Sequence, residues 1–63
     1  MMSAREIEDA ALKAERELRW ADAARLWRVA EAIAAGSHLY AIRDRCDDLA
    51  RQAEHLARAP RIA

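Results

Sequence analysis

Sixty-three residues can fill one small core and leave nothing for a second. Eleven basic and eleven acidic side chains cancel, so no net field draws the chain toward nucleic acid or an anionic membrane. A single cysteine excludes an internal disulfide, and Cys46, His38 and His55 lack the spacing of zinc ligands, which leaves association as the extra source of stability for so short a chain.

Alanine, leucine, arginine and glutamate dominate, so the expected class is all-α: a helical hairpin or a three-helix arrangement that dimerises into a bundle. The first helix is expected at about 4–18, where Ser3 and Glu6 form a capping box. Its stripe is Ile7, Ala11, Ala14, Leu18 and Ala21. Continued, that stripe reaches Arg25 and Arg28, which do not suit a core. A second apolar set, Trp20, Ala23, Ala24, Trp27, Ala30 and Ala34, lies roughly 150–180° around the helix axis. Either the chain turns near 18–21, with Asp22 in the first turn of a new helix, or one long helix shows two faces; a turn is the favoured reading.

The second helix is expected at about 20–35, with Gly36 in the left-handed position after its end and Ser37 capping the next. The third, at about 38–58, carries Leu39, Ile42, Cys46, Leu49, Ala53 and Leu56 at heptad spacing, a stripe for a core or a dimer seam. Pro60 should stop it and leave a tail at 59–63.

Trp20 and Trp27 are seven apart and share a face, with small Ala23, Ala24 and Ala30 around them that let a second backbone approach closely. Two core tryptophans are the plain reading. Trp20, beside the turn, is the better candidate for an exposed anchor, because tryptophan is enriched where partners bind.

The run AALKAERELRWADAARLWRVAEA resembles the signature of the ANR regulators, small bacterial negative regulators of AraC-type transcription activators. Ala10 and Ala11, Glu15 and Arg16, Trp20, Ala23 and Ala24, Leu26 and Trp27, and Ala30 follow its order and spacing, and Tyr40, Arg43 and Cys46 resemble its second half. Leu18 departs from it, standing where the family has glycine. The PerC-type regulators share a shorter Ala-Ala-x-x-Trp core, and the tryptophan–alanine element is also similar to the TPR motif. The resemblance implies a regulator that binds an activator protein and blocks its dimerisation, with Glu15, Arg16 and Arg43 among the signature residues.

Arg43, Arg51 and Arg58 share their side of the third helix with Asp44, Asp47 and Glu54, which argues for a salt-bridged face rather than a basic stripe. Glu15 is placed to reach Arg19. Neither a base–nucleophile pair nor a carboxylate cluster suggests catalysis, and no cofactor or metal is expected. The start MMSAREIEDA has acids where a signal peptide needs a basic end and an apolar stretch, and no run suits a membrane span. The expectation is a soluble cytoplasmic homodimer that binds a protein. The alternatives are an RNA-binding helical dimer like Rop, or a structural phage or plasmid assembly module.

Overall fold

The computed structural model describes residues 3–59, which fold as three helices, α1 (Ala4–Arg16), α2 (Trp20–Gly36) and α3 (Tyr40–Arg58), with no strand among them. The capping box forms as the sequence indicates. Ser3 Oγ accepts from the Glu6 amide at 3.3 Å, and the Ser3 amide donates to Glu6 Oε1 at 3.2 Å. At the far end α3 stops at Arg58, and Ala59 is extended, the conformation favoured by a residue that precedes proline. Pro60 and the rest of the expected tail lie outside the described residues.

The apolar face flips because the chain turns. Leu18 sits in the left-handed region at φ 59°. The Leu18 amide donates to the Glu15 carbonyl at 2.9 Å and the Arg19 amide to the Ala14 carbonyl at 2.8 Å, closing α1 with a Schellman motif. This ends α1 at Arg16, short of the expected 18, so Leu18 and Ala21 drop off the first stripe and are exposed.

Twenty residues on, the turn repeats. His38 has φ 59°, its amide donates to Ala35 at 3.1 Å, and the Leu39 amide donates to Ala34 at 2.8 Å. The left-handed position expected of Gly36 therefore belongs to His38, and Gly36 is the last residue of α2. Ser37 closes α2 rather than capping α3, whose N-cap Leu39 makes no side-chain hydrogen bond. Trp20 and Tyr40 begin the helices that follow the two turns.

The middle helix α2 packs on α1 and on α3, which scarcely touch each other. The core consists of Ile7, Trp27, Cys46 and eight alanines: Ala11, Ala14, Ala23, Ala24, Ala30, Ala34, Ala50 and Ala53. Alanines let the helix axes come close, but a buried methyl contributes only about 0.8 kcal/mol, against roughly 1.5–3 kcal/mol for a large apolar side chain. The large side chains are mostly outside: Leu12, Leu18, Val29, Leu39, Tyr40 and Leu56 are 43–68% exposed.

Candidate functional site

Among the described residues Trp27 is the largest side chain fully enclosed, at 2% exposure, and its indole Nε1 donates to Glu15 Oε2 at 2.8 Å. That bond ties α1 to α2 and replaces the expected Glu15–Arg19 pair. Arg19 instead bridges the turn, donating from Nε to Glu17 Oε1 at 2.9 Å and from Nη1 to Asp22 Oδ2 at 3.0 Å. These carboxylates, Glu17 foremost, push the Arg19 guanidinium up, while hydrogen bonding from Arg25 first, then Arg19, holds Asp22 down. Asp22 stands in the first turn of α2, where its charge also favours the helix start.

Of the tryptophan–alanine lattice, Ala23, Ala24, Trp27 and Ala30 are buried, and Trp20 is half-buried against the same core. Trp20 thus belongs partly to the core and partly to the surface. Arg16 is exposed and makes no ion pair among the described residues. Arg43 lies on α3, well away from Glu15. It pairs with Asp44 at 2.9 Å and covers the Tyr40 ring 4.7 Å from its centroid, while the Tyr40 hydroxyl hydrogen-bonds His38 Nδ1 at 2.8 Å. The signature residues therefore form no single cluster.

The heptad stripe of α3 is buried only in its middle. Cys46 and Ala53 are enclosed and Ile42 and Leu49 pack partly on the core, but Leu39 and Leu56 are 48% and 43% exposed. The inward line runs instead through Cys46, Ala50 and Ala53, and Ala50 was not marked by the heptad. Leu39 lies in the turn, outside the helix. Leu56 lies around α3 from the inward line, toward Leu49's side. Burial pushes the Cys46 thiol up, so it is a poor nucleophile and behaves as a small apolar side chain.

Sequence reading missed the junction of α2 and α3. Arg28 of α2 donates to Glu54 at 2.9 and 3.1 Å, to Asp47 at 2.6 Å and to Glu31 at 3.1 Å. Hydrogen bonding to Arg28 is the largest influence lowering both Asp47 and Glu54, and the three carboxylates raise Arg28 in turn. The signal was present in two halves: Arg28 did not suit a core, and Asp47 and Glu54, seven apart, share one side of α3. An open cleft beside this junction is lined by Ala21, Ala24, Arg25, Arg28, Glu54, Ala57 and Arg58. Its basic residues are largely answered by carboxylates: Asp22 pairs with Arg25 and Glu54 with Arg28.

Among the described residues no group of side chains has the make-up to hold a metal ion, and no helix is long and apolar enough to cross a membrane. What the described surface offers is apolar contact, through exposed Leu12 and Leu56 and half-buried Trp20 and Leu49. Comparison with family models, with characterised proteins and with solved structures gives no match to this chain.

Proposed function

We propose that the chain is a small transcriptional regulator that works by protein–protein binding, self-associates as a homodimer in the bacterial cytoplasm, and inhibits an AraC-type activator by blocking its dimerisation. The observation that carries the binding role is the inversion of size between inside and outside: eight alanines in the core, and three leucines, a valine and a tyrosine 43–49% exposed in addition to Leu18. Large apolar side chains left on a small domain are what a partner covers. The type of partner rests on the ANR-like run from Ala10 to Cys46. Support for a protein rather than RNA comes from the arginines. Among the described residues Arg19, Arg25, Arg28, Arg43, Arg45 and Arg51 pair with carboxylates, which makes these six less available to release counterions from phosphates.

Trp20 is the anchor within this reading, since it is half-buried, with one part of the indole on the core and the rest at the surface. The test is two-hybrid and purified-protein binding against each AraC-type activator of the same genome, with wild type and Trp20→Ala. Binding and repression that weaken at least tenfold in Trp20→Ala, with helicity retained, support the proposal. Failure of the wild-type protein to bind or inhibit any of them contradicts it.

A further inference from the structure

We draw no further inference here: the strongest candidate, the apolar surface patch of Leu12 on α1 with Leu49 and Leu56 on α3, is exposed or half-buried, and nothing in the structure shows what covers it.

Discussion

Against α1 the middle helix is held by apolar packing, with Ile7, Ala11 and Ala14 in the shared core and one side-chain hydrogen bond, Trp27 to Glu15, crossing the junction among the described residues. Against α3 it adds a part-exposed guanidinium, Arg28, gripped by Asp47 and Glu54 of α3 and by Glu31 of its own helix. The first junction depends chiefly on shape, with a neutral indole as its polar donor, and should be nearly indifferent to salt. The second depends partly on ionisation, which salt screens and acid removes. The difference shows how a core of alanines can be specified: where methyls give little energy and no orientation, a multidentate arginine fixes the helix register.

The largest effect expected is at Trp27, which serves both junctions. Trp27→Ala should cost about 3–5 kcal/mol, as much as a domain of this size usually has in hand; the check is loss of helicity and of the cooperative thermal transition. Trp27→Phe keeps most of the packing and loses the bond to Glu15, so a smaller loss of about 1–2 kcal/mol is expected. A folded Trp27→Ala variant with unchanged melting would break the comparison at its centre.

Arg28→Met removes the ionic part of the second junction and keeps the aliphatic stem. Because Arg28 is more than a third exposed, the expected loss is only about 1 kcal/mol at neutral pH. The pH dependence is more telling. Asp47 and Glu54 are depressed below their ordinary values of 3.8 and 4.5. Their contribution is present above that range and is lost as pH falls through the lower folded values. Wild type should therefore lose melting temperature below about pH 4.5, and Arg28→Met should show a shallower acid limb. Equal acid limbs in the two proteins would contradict the role given to the junction.

The smallest effects concern the two turns. Leu18 is left-handed and 68% exposed, so Leu18→Gly relieves a backbone penalty of about 1–2 kcal/mol and loses little packing. After the entropy cost of glycine, a net gain of about 0.5–1 kcal/mol is expected in denaturant unfolding. His38→Gly should gain less, since it also removes the contact with Tyr40. Gly36→Ala should stabilise by about 0.5–1 kcal/mol, because Gly36 is helical and an added methyl meets nothing within 4 Å. If Gly36→Ala destabilises while Leu18→Gly has no effect, the assignment of the turns is wrong.

These residues also show what the sequence makes legible. The faces of α1 and α2 could be read because Ile7, Ala11 and Ala14, and then Ala23, Trp27, Ala30 and Ala34, repeat at helical spacing and are all buried. The turns could be sited near 18–21 and 36–38 but not built. Local preference favours glycine in the left-handed position, yet packing of the helices imposes that position on Leu18 and His38. The ends of the α3 stripe misled because Leu39 precedes the helix, and Leu56 falls to one side of the line of Cys46, Ala50 and Ala53 that faces α2. Arg28 was illegible because its partners lie 19 and 26 residues away, and only the packing of α2 on α3 brings them together.

The claim on which the account turns is that this chain, with alanines in its core and leucines at its surface, self-associates as proposed. The most direct measurement is a thermal melt followed by helicity over a hundredfold range of protein concentration, with the mass determined by sedimentation at each end. The account predicts a dimer at high concentration, dissociation on dilution and a melting temperature that rises with concentration. A monomeric mass throughout, with one melting temperature at all concentrations, would contradict it.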